Sequence, residues 1–167
     1  MTPASSLSGS ATSLSTSDDI PTPISVIENL EGKHFQLEEL EDQEKCSTDV
    51  LLNSDMTLTI GQTDGPLFRS SSGTWSSYMD DSSKGSAVFE MKLSRTYVAG
   101  ENQRDATDIG EFTYQVERTF NGVVTSVAGS VAVEGVIVDV DDIFGSREVG
   151  FFNMIDTTEA RIADSVQ

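Results

Sequence analysis

Cysteine, histidine and tryptophan occur once each in this 167-residue chain, as Cys46, His34 and Trp75. A single thiol excludes an intramolecular disulfide and any metal site built on cysteines. A single imidazole excludes a multi-histidine zinc or iron centre. A Cys–His nucleophile pair would have to rest on Cys46 and His34 alone. Basic residues are scarce too: 10 Lys and Arg stand against 28 Asp and Glu, a net charge of −18. Such a surface repels nucleic acid and anionic lipid, because like charge meets like charge. It suits a solubility role, a salty medium or a basic protein partner. No apolar run approaches the ~20 residues of a transmembrane helix. No Gly-x-Ser-x-Gly elbow and no phosphate-binding loop occurs. No catalytic residue, cofactor or metal is therefore assigned, and a non-enzymatic role is expected.

What is present divides the chain in three. Residues 1–23 are rich in hydroxyls, with ten Ser or Thr among the first 17. They lack hydrophobic periodicity and cannot bury enough apolar surface to offset their ordering entropy, so they read as a disordered tail. A secretory signal would need a basic start and an apolar stretch instead. Residues 24–158 read as one β-domain, and 159–167 as a C-terminal tail.

The β-domain shows period-two alternation with no helical period in its core. Phe35, Leu37 and Glu39 share one side of a first strand, and Leu40 breaks the apolar phase. Thr48–Leu52 and Met56–Thr63 follow, then Gly73–Met79 around Trp75. Ala87–Tyr97 places Ala87, Phe89, Met91 and Leu93 on one face. Gly110–Phe120 does the same with Phe112, Tyr114 and Val116. Asn121–Gly122 is the strongest short-range hairpin signal in the chain and predicts a type I′ turn. Gly129 and Gly135 interrupt the Val-rich stretch Val123–Val140 and predict bulges or bends. Glu148–Ile155 is the last strand. About eight short strands joined by turns predict an all-β, up-and-down antiparallel barrel, whose closure removes exposed edges.

Two acidic runs read as solvated surface. Glu38, Glu39, Glu41, Asp42 and Glu44 lie in the first, Asp139, Asp141 and Asp142 in the second. The second departs from a calcium loop in its glycine and glutamate positions and lacks flanking helices.

Leu30–Glu31–Gly32–Lys33–His34–Phe35 opens the first strand as a lipocalin-like domain does, with His34 where that pattern carries Trp. Gly73–Thr74–Trp75 supplies a Gly-x-Trp triplet two strands later. Over about residues 24–158 the chain resembles the calycin group of lipocalins, fatty-acid-binding proteins and avidin-type barrels. The resemblance implies a barrel interior able to hold one small hydrophobic or amphipathic acid.

Arg95 and Arg118 extend the apolar faces of their strands, which puts two guanidiniums on the inward phase. A buried guanidinium needs partners for its five donors. One solution is structural, with an Arg laid across Trp75 or another ring to close the barrel. The other is a ligand carboxylate held by Arg95 and Tyr97, the Arg-x-Tyr triplet in which this region resembles fatty-acid-binding proteins. The candidate ligand-binding residues are thus Arg95, Tyr97, Arg118, Tyr114 and Trp75. The competing expectation is a structural or assembly protein with a filled barrel that docks a basic protein partner, with a plastid as one setting.

Overall fold

The structure, a computed structural model, describes residues 30–80, 86–99 and 112–165. The 1–23 tail expected from composition lies outside the described residues. Among these residues, eight antiparallel strands form one sheet. They are β1 (His34–Glu41), β2 (Glu44–Leu52), β3 (Leu58–Thr63), β4 (Ser70–Asp80), β5 (Ser86–Ala99), β6 (Phe112–Val127), β7 (Ser130–Asp141) and β8 (Gly145–Asp156). Their order is β3-β2-β1-β8-β7-β6-β5-β4. Each strand other than those at the β3/β4 seam therefore pairs with its neighbours in sequence, and β8 returns to β1. Among the described residues, the backbone bridges the seam at Thr57 opposite Thr74 and through the Trp75 N–H donating to the Met56 carbonyl at 2.9 Å. The result is the expected up-and-down barrel, nearly closed.

The hairpin geometry corrects one expectation. Asn121 and Gly122 are not a turn; they lie inside β6, with Gly122 opposite Gly135 of β7. The β6–β7 turn is Ala128–Gly129, with φ of 51° and 85°. Positive φ at both central residues is the type I′ signature, and Gly129 thus makes the turn, not a bend. Gly122 is needed for a different reason. A Cβ there would lie 2.6 Å from the Glu134 carbonyl oxygen and 2.9 Å from the tip of the Phe152 ring. The glycine pair is a recess that lets the Phe152 ring enter the barrel, where it meets Phe120 edge-on at 5.2 Å. The β1–β2 turn, Asp42–Gln43, repeats the positive-φ pair with 49° and 69°.

The interior is filled over one half only. Phe35, Leu37, Val50, Leu52, Phe89, Met91, Leu93, Phe120, Ile137 and Met154 pack there with almost no exposure. Leu30 closes that end, held by the Gly32 N–H donating to the Leu52 carbonyl at 2.7 Å. Trp75 belongs to this core. It stacks on Phe89 at 6.4 Å, and its indole N–H donates to the Asn53 carbonyl at 3.0 Å.

The C-terminal stretch expected as a tail contains a helix, α1 (Thr158–Ser165). Asp156 accepts the Thr158 N–H at 2.9 Å and so caps its start. Arg161 reaches Asp49 of β2 at 2.6 Å. None of the helix residues is buried; polar contacts tie it to the barrel, among them this ion pair and the His34 N–H donating to the Thr158 hydroxyl at 3.0 Å. No helix among the described residues is long and apolar enough to cross a membrane.

Candidate functional site

Among the described residues, the other half of the barrel is open. The inward phase that carries Phe35 and Leu37 continues to Glu39 and Glu41 on β1. On β5 it continues from Leu93 to Arg95 and Tyr97, and on β6 it runs from Phe120 back through Arg118 and Val116 to Tyr114. Because the strands alternate in direction, all these residues reach the same end. They surround a cavity of about 620 Å³, whose wall also includes Cys46, Asp64, Gly65 and Pro66.

Its floor is an ion pair. Arg95 donates to both Glu39 oxygens, at 2.9 and 2.7 Å. β1 and β5 lie four strands apart in the eight-strand ring, so this bidentate pair spans the lumen. The Glu39 residue is 5% exposed, and the Arg95 side chain is 12% exposed. Burial alone would lower the Arg95 pKa; the hydrogen bonds and charge of Glu39 outweigh it and hold the guanidinium above its ordinary value. The Arg95 guanidinium also lies 5.9 Å from the Phe68 ring centroid. The pair separates the apolar core from the polar chamber.

A second cluster lies nearer the rim. Arg118 donates to Glu41 from Nε at 3.0 Å and from an Nη at 2.7 Å, and to Asp139 at 3.0 Å. Beside these charges stands a group of rings, of which Tyr97 and Tyr114 line the cavity. Tyr97 and Tyr114 stack at 5.4 Å, Phe112 lies 6.2 Å from Tyr114, and Phe68 meets Tyr97 edge-on at 6.5 Å. Burial pushes the Tyr97 phenol up, against the opposing pull of the Arg95 charge.

Four of the five residues expected from sequence to bind a ligand therefore come together: Arg95, Tyr97, Tyr114 and Arg118 all line the cavity. Trp75 does not; it sits in the apolar half. The ring near Arg95 is Phe68, and both arginines are held chiefly by carboxylates. Those carboxylates correct the view of the first acidic run as a solvated loop. Glu38–Glu41 is strand, only Asp42–Gln43 is turn, and Glu39 is buried. The signal was the phase itself, since Phe35, Leu37 and Glu39 are two apart and Leu40 points outward at 46% exposure. The second run is solvated surface only at its turn; Asp139 is half-buried on β7 and holds Arg118. Asp141 accepts the Ile143 and Phe144 N–H groups at 2.7 and 2.9 Å in an exposed turn, and these bonds hold its carboxyl below the usual range.

Cys46 was not singled out as a wall residue. It sits directly across from Glu39 in the β1–β2 ladder, and its thiol donates to Glu39 at 3.4 Å. Burial, then the Glu39 charge and hydrogen bond, push the thiol up to about 12, with Arg95 opposing. The nucleophile is the thiolate, so at pH 8 only about one molecule in ten thousand would carry it. We expect iodoacetamide to modify Cys46 far more slowly than free cysteine at pH 8, and Glu39→Gln to accelerate the reaction. Modification of the parent at the free-cysteine rate would show that the thiol is not held by Glu39.

Comparison with family models, curated proteins and solved structures gives no match for this chain.

Proposed function

We propose that this protein is a non-enzymatic binding barrel that holds one small amphipathic molecule in its open half. The observation that carries the proposal is the division of the lumen: a filled apolar core at one end and a chamber of about 620 Å³ at the other. Small-molecule sites are usually concave and roughly 300–1,000 Å³, lined by apolar or aromatic groups with a few fixed polar ones. The volume falls in that range, and Tyr97, Tyr114, Val116 and Pro66 give the otherwise charged wall an apolar and aromatic part. The resemblance to the calycin group supports the same reading. A filled barrel that docks a basic partner draws support from the net charge of −18, while the open chamber weighs against a filled interior.

Nile red, a neutral amphipathic dye, tests the proposal. Its fluorescence should rise saturably at one dye per chain. Val116→Trp fills the chamber from β6 and should abolish the rise while leaving the thermal melt intact. Absence of saturable binding by the parent would end this reading.

A further inference from the structure

We propose that the occupant of the chamber is an organic cation, an amphipathic amine or quaternary ammonium compound, and not an acid. This rests on the binding function proposed above and names its ligand class. Among the described residues, three cationic residues line the chamber, and each already has a carboxylate. Arg95 is held by both Glu39 oxygens at 2.9 and 2.7 Å. Arg118 is held by Glu41 at 2.7 Å and by Asp139 at 3.0 Å. Lys45 turns to Glu38 at 3.0 Å. One donor, the buried Arg95 Nε, has no partner; apart from it, an entering carboxylate would have to displace one of these partners, leaving a carboxylate without its charge-assisted bonds.

The wall carries more negative charge than these pairs absorb. Asp42, Glu44 and Asp64 also line the chamber. None of the three makes an ion pair within 4.0 Å among the described residues; Asp64 accepts the Ser47 N–H at 2.6 Å. Carboxylates on a concave wall focus a negative potential that raises the local concentration of cations and lowers that of anions.

Independent of that charge is the aromatic wall. Tyr97 and Tyr114 stack with their planes 24° apart, and Tyr114, which lines the chamber, is 47% exposed. Ring faces attract cations, most strongly where water is partly excluded, and quaternary ammonium groups are bound in this way. The Cys46 thiol adds no charge of its own. Val116 and Pro66 supply apolar contact for the rest of the ligand.

Three compounds of equal chain length, kept below their micelle concentrations, separate the possibilities by displacing bound Nile red near pH 7. They are decyltrimethylammonium, decanol and decanoate. The cation should displace the dye at roughly tenfold lower concentration than the alcohol, and the acid should be weakest. Added salt should weaken the cation alone. Asp42→Asn combined with Glu44→Gln should erase most of the charge preference, and Tyr114→Leu should weaken the cation more than the alcohol. Decanoate binding as tightly as the cation would overturn the proposal, as would equal binding of cation and alcohol. Nile red binding that none of the three displaces would overturn it while leaving the binding function standing. Failure of Nile red itself to bind would end both.

Discussion

Arg95→Met is expected to destabilise the fold by about 3–5 kcal/mol, because it leaves the Glu39 carboxylate buried without its partner. Glu39 is 5% exposed and its two oxygens both accept from Arg95. Removing the guanidinium strips the carboxylate of its main compensation and leaves only the weak Cys46 thiol contact at 3.4 Å. The double variant Glu39→Leu with Arg95→Met should recover most of that loss. Buried pairs replaced by apolar groups of similar size are often neutral or stabilising, since both desolvation costs vanish together. Urea unfolding of the parent, both single variants and the double variant measures the cycle. A single Arg95→Met variant as stable as the parent would mean that the pair is solvated and does not floor the chamber.

Gly135→Val should be comparably harmful, at roughly 3 kcal/mol or more, through overpacking. A Cβ at that position would lie 2.0 Å from the Asn121 carbonyl oxygen and 2.5 Å from the Gly122 Cα. Both are backbone atoms of the paired strand, so no side chain can rotate away. Gly129→Ala offers the contrast. Nothing lies within 4 Å of a Cβ there, and its cost comes from φ of +85° alone, about 1 kcal/mol. Thermal melting of the two variants should therefore differ clearly. Equal melting temperatures would show that β6 and β7 do not approach as closely as the Gly122–Gly135 pairing requires.

Much of this architecture is legible in the sequence, and its limits have physical causes. The alternation of Ala87–Tyr97 and Gly110–Phe120 specifies two half-buried strands, and continuing it places Arg95 and Arg118 inside. The same rule applied to β1 places Glu39 inside, but a run of neighbouring acids has the composition of solvated surface, and composition obscures phase. What would have decided it is a question of partners. Two inward guanidiniums require inward acceptors, and Glu39 and Glu41 are in phase to supply them. Asn121–Gly122 misleads because glycine serves two needs, positive φ at a turn and the absence of a Cβ at a close contact. The local sequence cannot separate these; the ring of Phe152, thirty residues on, decides which applies. The helix after β8 had a start signal in Asp156 with Glu159 three residues later, the spacing of a capping box. It was obscured because its residues bury nothing and so show no apolar stripe. Trp75 could be placed at a buried position on β4, but which end of the barrel it occupies depends on contact with Asn53 in the β2–β3 connection, a tertiary fact.

The division of the lumen into a filled half and a receptive half is the central claim, and backbone amide chemical shifts test it residue by residue. Nile red titrated into ¹⁵N-labelled protein should shift the amides around Glu39, Cys46, Asp64, Arg95, Tyr97 and Val116. Those of Leu30, Val50, Trp75 and Met154, in the filled half, should stay within a fraction of that change. Shifts confined to the outer face of the sheet, or spread evenly over both halves, would contradict the account.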